Sequence, residues 1–478
     1  MGSPTPTELP DESAIAWPHE LFPYQRNGIE ALLTRPQLLL ADDMGLGKTV
    51  QAVAALRLLF HLGRIEAALL VLPVGLISLW RRTLREWAPE LRTSTIRGPS
   101  SERAWQWRAA AHLYLTSYEA LRQDLTENPQ SPPRRRLWDV VVLDEAQRIK
   151  NADTAVSAAC KRLPRRRAWA LTGTPLENRI DDLASICEFL LPWREERPPP
   201  VLAAGPGLLE RHASLQLRRR KADVLAQLPP KTVVEIPLRL APVQRASYLR
   251  AEREGVIHLR DLGRDVRITH VLELIQRLKQ ICNVCPESGC STKLEDLGAR
   301  LETLSAEGHR ALIFSQYVRE PYGVRALARR LARFRPLVYV GALPPEERDR
   351  VVARFRTTPE STALILSLRA GGQGLNLQEA SYVFHFDRWW NPAVERQAED
   401  RSHRFGQGLP VTVYKYVCED TIEERIDEIL RRKQALFDEL VDGVSIDPRA
   451  RLSSEDLFGL FDLEPPANHR GGRRPGDS

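Results

Sequence analysis

The sequence predicts an α/β protein with two lobes, each a parallel β-sheet covered by helices. Short β-rich runs alternate with helical patterns along most of the chain. The runs Val140–Leu143 and Ala363–Leu366 are continuously apolar, as expected for strands that are buried on both faces. A long helical region separates two groups of strand candidates, and each group is large enough to form one sheet.

The strand candidates follow the chain in two sets. The first set comprises Leu38–Leu40, Ala68–Leu72, Leu113–Leu115, Val140–Leu143 and Ala168–Leu171. The second set comprises Ala311–Phe314, Leu337–Val340, Ala363–Leu366, Tyr382–Phe386 and Val411–Tyr416. Between the sets the pattern is helical, charged and interrupted by prolines. Thr421 and Glu424 form a capping-box pattern that begins a further helix with one apolar face.

These patterns predict five parts of the chain. We expect residues 1–16 to be a flexible N-terminus and residues 17–230 to be a first lobe with a helical protrusion. We expect residues 231–300 to be a linker and helical insertion, and residues 301–445 to be a second lobe that ends in a bracing helix. Residues 446–478 are rich in proline, glycine and arginine toward their end, so we expect a partly disordered tail.

The bulk composition indicates a soluble protein of more than one domain. At 478 residues the chain is too long for one ordinary core, and its hydrophobic fraction of 43% is normal for globular proteins. The net charge of +7 and the pI near 9.2 fit a nucleic-acid surface. They also fit many arginine-rich bacterial enzymes, so charge alone does not identify the partner.

Signals for membranes, secretion and metal binding are weak. The N-terminus lacks the pattern of a signal peptide, and the most apolar segment, at 67–80, is interrupted by a proline and a glycine. The six cysteines are scattered, which favours reduced thiols in a cytoplasmic protein. Cys282, Cys285 and Cys290 lie close together, but no fourth ligand follows at zinc spacing. A plain loop is favoured there, and metal binding stays open.

A phosphate-binding loop follows the first strand candidate. The segment Ala41–Thr49 contains two glycines and leads into a helical pattern. Glycines let backbone N–H groups wrap phosphates, and a helix N-terminus adds a favourable dipole. Lys48 is predicted to reach the β- and γ-phosphates of ATP, and Thr49 to bind Mg²⁺. The predicted ATP-binding residues of this loop are Asp43, Met44, Gly45, Leu46, Gly47, Lys48 and Thr49.

Two further elements follow buried strand candidates. Asp144 and Glu145 come directly after Val140–Leu143, at the strand end where open α/β sheets place ligands. Adjacent acids are often ordinary loop residues, but the phosphate loop favours a catalytic pair. Asp144 is predicted to hold Mg²⁺ through water, and Glu145 to orient and deprotonate the attacking water. The segment Leu171–Pro175 follows the next strand candidate, and its pattern alone fits an ordinary turn equally well.

Many short blocks in one order carry a family resemblance, from about Leu21 to Val441. They are Pro23–Gln25, Ala41–Thr49, Leu72–Pro73, Thr116–Glu119, Asp144–Gln147, Thr172–Pro175, Leu217–Val224, Leu228–Lys231, Phe314–Gln316 and Ser367–Gln407. The chain resembles the SWI/SNF-type ATPases, the double-stranded-DNA translocase branch of helicase superfamily two. The blocks Arg388–Pro392 and Asp400–Gln407 are the most specific to that family.

The resemblance implies two RecA-like lobes and DNA-stimulated ATP hydrolysis that drives movement along duplex DNA. It implies that Gln25 reads the adenine edge, and that Gly372 and Gly374 line the cleft between the lobes. It also implies that Arg401 and Arg404 act as arginine fingers, which neutralise charge on the γ-phosphate. The expected DNA binding is independent of sequence, and we expect a nucleoid-associated protein. A nucleoprotein target or a targeting subunit is a further expected partner.

Other roles follow from the same resemblance. It places DNA-backbone contacts at Pro73, Thr116–Ser117 and Ser315–Gln316, and it makes Thr172–Pro175 the element that couples hydrolysis to lobe movement. Three positions keep two interpretations. For Trp389 and Trp390, transmission of lobe closure is favoured over base stacking. For His403, a structural role is favoured over proton transfer. For the charge run Arg218–Lys221, a structural or hinge role near the link between the lobes is at least as well supported as DNA binding.

The chain departs from the usual patterns at three positions. Asp42 stands where the strict phosphate-loop pattern has Gly, and Asp43 stands where the family commonly has Glu. Gln147 replaces the more common His after Asp-Glu-Ala, which predicts weaker communication between ATP and DNA. Two other functions are compatible with the blocks: a strand-separating DNA or RNA helicase, and a non-catalytic DNA-binding scaffold. The intact Lys48 and Asp144 speak against the scaffold.

Overall fold

The computed structural model describes residues 15–127, 131–173, 180–192, 202, 206–224, 229–358, 361–371, 375–389, 392–404, 406–440 and 453–463. The chain divides into two compact units, Met1–Gln227 and Leu228–Ser478. Each unit contains one parallel sheet with helices, which confirms the predicted α/β class with two parallel-sheet lobes. Within the described residues, no helix is both long enough and apolar enough to cross a membrane.

The first unit is built on a seven-stranded parallel sheet with the order β3-β4-β2-β5-β6-β1-β7. Its strands are β1 (Gln37–Leu40), β2 (Ala68–Leu72), β3 (Thr93–Ile96), β4 (Leu113–Ser117), β5 (Trp138–Asp144), β6 (Arg165–Leu171) and β7 (Gln216–Leu217). Its helices are α1 (Pro23–Thr34), α2 (Lys48–His61), α3 (Ile77–Trp87), α4 (Ser100–Gln106), α5 (Tyr118–Glu127), α6 (Pro132–Arg135), α7 (Ala155–Lys161), α8 (Ile180–Leu190), α9 (Pro206–Leu215) and α10 (Lys221–Val224).

Helices cover both faces of this sheet. Alternate strand residues enter two separate hydrophobic cores, so Val140 and Val142 belong to one core and Val141 and Leu143 to the other. This double burial is the reason why β5 is continuously apolar. The five predicted strands of this lobe are confirmed, with ends that differ by a few residues. Strands β3 and β7 were not predicted, because β3 is short and polar and β7 has only two residues.

The second unit is built on a six-stranded parallel sheet with the order β10-β11-β9-β12-β13-β8. Its strands are β8 (Lys231–Leu238), β9 (Ala311–Ser315), β10 (Leu337–Tyr339), β11 (Ala363–Ser367), β12 (Tyr382–His385) and β13 (Val411–Cys418). Its helices are α11 (Pro242–Asp261), α12 (Ile268–Asn283), α13 (Thr292–Ala306), α14 (Val324–Arg330), α15 (Pro345–Thr357), α16 (Leu368–Gly371), α17 (Pro392–Glu399), α18 (Ile422–Leu440) and α19 (Ser454–Gly459).

One segment of the second unit differs from the sequence-based expectation, and a second one adds detail to it. Residues 231–238, expected in a linker, form the edge strand β8, which pairs in parallel with β13 along its whole length. The segment was missed because four of its residues in a row are exposed, so it lacks the apolar pattern of a buried strand. In the expected tail, Leu457 and Phe458 are buried in a core shared by α11, α12 and α18. That part of the tail is therefore packed structure.

Candidate nucleotide site and arginine loop

The predicted phosphate loop connects the carboxyl end of β1 to the N-terminus of α2. Gly45 and Gly47 have φ of 85° and 74°, a left-handed backbone that glycine adopts without steric cost. Gly47 is the N-cap of α2, so the first backbone N–H groups of that helix lie at the end of the loop. Such a helix N-terminus presents N–H donors and a positive dipole end to an anion. The geometry therefore fits the predicted phosphate site.

Lys48 is folded over its own loop. Its Nζ atom donates hydrogen bonds to the carbonyl oxygens of Asp42 at 2.6 Å and Asp43 at 3.1 Å. Burial lowers the pKa of Lys48, and the carboxylates of Asp42, Glu145 and Asp144 oppose that shift. The ammonium group therefore lies within electrostatic reach of the acidic pair as well as of the loop.

Asp144 is the last residue of β5, and hydrogen bonds fix both of its carboxylate oxygens. The Trp80 indole N–H donates to Oδ2 at 2.7 Å, and the Glu145 backbone N–H donates to Oδ1 at 2.9 Å. The Tyr118 hydroxyl also donates to the Asp144 carbonyl oxygen at 2.8 Å. Glu145 has φ of 52°, an uncommon value for a residue with a side chain. The acidic pair is thus held in one arrangement by α3, α5 and its own backbone.

The pKa of Asp144 is raised to about 7. Burial is the largest cause and the Glu145 carboxylate is the second, whereas the Trp80 and Glu145 N–H donors and Lys48 act in the opposite direction. A buried carboxyl group beside a carboxylate loses its proton less readily than one in water. A cation next to Asp144 would favour its ionised form, so the pair is suited to a divalent metal ion.

Gln147 connects the acidic pair to the third predicted element. Its Nε2 donates to Glu145 Oε2 at 2.5 Å, and its Oε1 accepts from the Thr172 hydroxyl at 3.0 Å. Thr172 lies directly after β6, while Thr174 and Pro175 lie outside the described residues. The amide thus makes a donor bond and an acceptor bond, which a neutral histidine could also make. Gln147, which stands in place of the more common His, therefore keeps a hydrogen-bonded connection between Glu145 and Thr172. The weaker communication between ATP and DNA that this replacement suggested stays a prediction.

Gln25 lies beside the phosphate loop, and its predicted contact with adenine stays a prediction. Its Oε1 accepts from the Phe22 backbone N–H at 3.0 Å, which closes the first turn of α1. Its Nε2 is so close to Gly47 that a Cβ atom there would lie 2.6 Å away. The side chain is 8% exposed, so its amide has a fixed environment next to the nucleotide loop.

Sequence reasoning missed one ion pair of this site, Arg219 with Asp42. Asp42 is fully buried, and Arg219 Nε donates to its Oδ1 at 2.9 Å. Arg219 belongs to the charge run Arg218–Lys221, for which a structural or hinge role was weighed against DNA binding. The available signal was Asp42 itself, because an acid in place of the usual loop glycine requires a cationic partner when it is buried.

The arginine loop of the second unit follows α17. Arg401 and Arg404 each have a terminal nitrogen 3.4 Å from the Leu375 carbonyl oxygen, a long hydrogen bond. Burial lowers the pKa of Arg404, while Asp400 opposes the shift. Gln407 supports the loop by donating to the carbonyl oxygens of Ala380 and Ser402. Both arginines therefore converge just after the predicted glycines Gly372 and Gly374, which lie outside the described residues.

The other residues of the second-unit signature have structural contacts. The His403 ring lies 2.8 Å from the Pro229 carbonyl oxygen through Nε2, which agrees with the favoured structural role. Trp389 packs against a hydrophobic core of the unit, and its backbone N–H donates to Glu395 at 2.9 Å. Trp390 lies outside the described residues. These contacts fix Trp389 within the second unit, and its role in transmitting lobe closure stays a prediction.

The hydroxyl groups expected at the DNA backbone are mostly engaged inside the protein. Ser315 is 1% exposed and donates to Asp387 Oδ2 at 2.6 Å, while the Gln316 N–H donates to the other oxygen. Thr116 is fully buried, and the Ser117 hydroxyl accepts from the Ala120 N–H at 3.1 Å. The Ser315 and Ser117 hydroxyls thus have partners inside the protein, and contacts of these segments with DNA stay a prediction.

The cysteine region contains a buried ion pair. Sulfur and oxygen ligand atoms of Cys282, Cys418 and Glu423 lie within 4.8 Å of one another. However, Lys293 Nζ lies 2.7 Å from Glu423 Oε1, and both side chains are fully buried. The pKa of the Cys418 thiol is raised well above its usual range, first through its contact with Cys282 and then through burial. Lys293 therefore already supplies the positive charge that this carboxylate needs.

A parallel-sheet unit with a phosphate loop and an acidic pair, joined to a second one with an arginine loop, defines the class of helicase-like ATPases. Comparison with protein families specifies this class further. The SNF2-related domain matches residues 24–287, and the helicase conserved C-terminal domain matches residues 292–406. The chain belongs to the SNF2-related family.

Individual relatives come from bacteria and eukaryotes. The chain is 35% identical over 478 residues to YwqA of Bacillus subtilis, named as a candidate ATP-dependent helicase/translocase, covering 93% of this chain and 51% of that protein. It is 32% identical over 492 residues to the human SWI/SNF-related regulator of chromatin subfamily A member 1, covering 92% and 44%. The chain thus spans about half the length, or less, of these relatives.

Among solved structures, the SWI2/SNF2 ATPase core of Sulfolobus solfataricus in complex with dsDNA matches with a TM-score of 0.42. Sequence identity in this match is 29%, and it covers 94% of this chain and 98% of that structure.

Proposed function

We propose that the protein hydrolyses ATP and uses the energy to move along duplex DNA without separating the strands. The carrying observation is the arrangement of Lys48, Asp144 and Glu145 beyond the carboxyl ends of the neighbouring parallel strands β1, β6 and β5. The carboxylates of Asp144 and Glu145 both act to raise the pKa of Lys48. N–H donors fix both carboxylate oxygens of Asp144. A cation, a fixed metal-binding carboxylate and an adjacent base are the parts that phosphoryl transfer to water requires.

Each residue of the first unit has a defined part in this proposal. The N–H groups of the loop and of α2 bind the phosphates, and Lys48 exchanges its loop carbonyls for phosphate oxygens. The Thr49 hydroxyl and the Asp144 carboxylate are hard oxygen donors of the kind that Mg²⁺ prefers. Mg²⁺ supplies neutralisation of phosphate charge when bound. Glu145, oriented by Gln147, takes the proton of the attacking water, and Gln25 recognises the adenine.

Arg401 and Arg404 are proposed to supply positive charge during turnover. Guanidinium groups stabilise the charge that develops on a transferring phosphoryl group, and such a group can change the rate by about 10³-fold or more. The support is their position in the family signature and their joint placement at Leu375. The proposed role of Gly372 and Gly374 beside them stays a prediction from the sequence.

Duplex DNA is the proposed track. The support for DNA comes from the names of two relatives, which describe a helicase/translocase and a regulator of chromatin. The net charge of +7 is compatible with contacts to phosphates. Recognition through phosphates would be independent of sequence and would weaken steeply with salt. A nucleoprotein target or a targeting subunit remains a prediction.

ATP hydrolysis measured with duplex DNA, single-stranded DNA and RNA tests the proposal. We expect the largest stimulation with duplex DNA, and we expect it to fall as salt increases. Displacement of a third strand from a triplex reports translocation, and a forked duplex reports strand separation. Triplex displacement without fork unwinding supports the proposal, whereas fork unwinding identifies a strand-separating helicase. Stimulation by RNA alone would refute both DNA functions. Lys48→Ala is the inactive control in each assay.

A further inference from the structure

The Arg219 side chain contacts three separate segments of the nucleotide site. Its Nε and one terminal nitrogen donate to the two carboxylate oxygens of Asp42, at 2.9 and 2.5 Å. The same terminal nitrogen donates to Gln51 Oε1 at 2.9 Å, and the other donates to the Tyr24 carbonyl oxygen. One guanidinium group therefore joins the phosphate loop, the first turn of α2 and the start of α1.

The partners of Arg219 are themselves buried and bonded. Asp42 and Gln51 are both fully buried, and Arg219 is 13% exposed. Gln51 Nε2 donates to Asp42 Oδ2 at 3.2 Å and to the Leu46 carbonyl oxygen at 3.1 Å, which ties α2 to the loop. A buried carboxylate that loses its cation is strongly destabilised. The position of Asp42 thus depends on Arg219.

The backbone of residues 219–221 also hydrogen-bonds to the phosphate loop. The Asp43 N–H donates to the Arg219 carbonyl oxygen at 3.0 Å, and the Lys221 N–H donates to Asp43 Oδ2 at 3.0 Å. Residues 219–221 lie shortly before Leu228, where the second unit begins in the chain. A displacement of this segment would therefore act directly on Asp42 and Asp43.

Gly28 provides the space for this network. A Cβ atom at Gly28 would lie 1.8 Å from Gln51 Oε1 and 2.7 Å from a terminal nitrogen of Arg219. Glycine lowers helix stability in the interior of a helix such as α1, so its presence there needs a reason. The close approach of two bonded side chains is that reason.

We propose that Arg219 is a positioning residue of the nucleotide site, which holds the phosphate loop and the Tyr24–Gln25 segment in one arrangement. The inference rests on the proposed function, because it assumes that this loop binds ATP. A guanidinium group suits the role since its planar fork can serve several acceptors at fixed angles. A lysine keeps the charge, but its three donors share one nitrogen atom and cannot span these separated acceptors.

The test is ATP affinity in Arg219→Lys, measured by titration with a fluorescent ATP analogue in the absence of DNA. We expect affinity to fall roughly tenfold or more, because several charge-assisted hydrogen bonds are lost. The KM for ATP should rise by a similar factor, while kcat at saturating ATP changes much less. The preference for ATP over GTP should also narrow, because the same side chain positions Tyr24–Gln25. Arg220→Lys, at the exposed neighbouring residue, is the matched control.

Gly28→Ala gives an independent test without a change of charge. Helix propensity alone predicts that this substitution stabilises α1. The proposal predicts weaker ATP binding instead, because the new methyl group displaces Gln51 and Arg219. If Gly28→Ala binds ATP as the wild type does, the network is not needed for nucleotide binding.

Two further results would overturn the proposal. The first is wild-type ATP affinity and KM in Arg219→Lys, even if its melting temperature falls, since that pattern indicates a role in stability alone. The second is unchanged hydrogen exchange in Arg219→Lys without nucleotide. The proposal predicts that peptides covering 22–28 and 41–51 exchange faster in this variant, so unchanged exchange would contradict positioning directly. This measurement remains decisive if the wild-type protein fails to bind ATP, an outcome that would refute the proposed function separately.

Discussion

The indole N–H of Trp80 donates a hydrogen bond to Asp144 Oδ2 at 2.7 Å, and Trp80 is fully buried. Trp80 lies on α3, which follows the Leu72–Pro73 block at the end of β2. Tyr118, at the start of α5 and next to Thr116–Ser117, bonds to the Asp144 backbone. The family resemblance assigns DNA contacts to Pro73 and to Thr116–Ser117. Each of these segments is therefore followed in the chain by a helix that hydrogen-bonds to Asp144, the proposed metal ligand.

Trp80→Phe should weaken the use of Mg²⁺. The phenyl ring fills most of the space but lacks the N–H that favours the ionised form of Asp144. We expect the Mg²⁺ concentration for half-maximal ATPase activity to rise by roughly tenfold, as for other residues that orient a metal ligand. Trp87→Phe, on the same helix, is the matched control for lost packing. Equal Mg²⁺ dependence in both variants would show that the indole bond is not used.

ATPase activity should depend on pH through Asp144. Its pKa is raised to about 7, and only the ionised carboxylate can bind a metal ion. At limiting Mg²⁺ we therefore expect kcat/KM to rise as pH increases through about 7. Bound cation favours ionisation, so saturating Mg²⁺ should shift the rise to lower pH. Trp80→Phe should shift it to higher pH, because a donor to the carboxylate is lost. A profile that is flat at limiting Mg²⁺ would contradict this.

Gln147→Leu should slow hydrolysis without weakening ATP binding. The substitution removes the bonds to both Glu145 and Thr172 while keeping a side chain of similar size. We expect kcat to fall by about 10²-fold, the lower range for loss of a general-base function. Gln147→His should retain most activity, since a neutral imidazole has one donor and one acceptor. Direct titration of ATP separates binding from turnover.

The coupling between Gln147 and Thr172 can be measured separately. Thr172→Val removes one hydroxyl and leaves the bond between Gln147 and Glu145. A double-mutant cycle on kcat should show that the two substitutions are not additive. Additive effects would mean that the observed 3.0 Å hydrogen bond does not contribute to catalysis.

Lys48→Ala and Arg404→Ala should both abolish turnover but differ in ATP affinity. Lys48 contacts the loop itself, so its loss should also weaken ATP binding. Arg404 belongs to the second unit, so its loss should leave affinity nearly unchanged while kcat falls by about 10³-fold. Arg350→Ala is the control, because that side chain is 74% exposed on α15. Normal turnover in Arg404→Ala would exclude a finger role for this residue.

The sequence predicted the features that depend on local pattern. Continuous apolar runs identified β5 and β11, since a strand that is buried on both faces has apolar residues at successive positions. The predicted phosphate loop and acidic pair follow β1 and β5 as expected, because each is a short segment in a fixed strand context. Strand β8 was missed because it is held by pairing with β13 rather than by burial of its own side chains.

Contacts between distant residues could not be predicted from one sequence. Arg219 and Asp42 are 177 positions apart, and Trp80 and Asp144 are 64 apart. Nothing in the residue types alone selects these partners among the many arginines and tryptophans of the chain. The sequence therefore proposes which residues could do chemistry, and these roles stay predictions, whereas the side chains that hold those residues in place become visible only in the structure.

The pairing of β8 with β13 also has a consequence for biosynthesis. During translation β8 leaves the ribosome before α11, α12 and α13, whereas its partner is the last strand that the structure describes in this unit. Val233 and Val234 are 47% and 36% exposed even after pairing, so a nascent β8 offers an apolar, unpaired edge. Parallel strands distant in sequence also associate slowly. The growing chain should therefore be most vulnerable to aggregation, and most dependent on chaperones, in the interval before β13 is made.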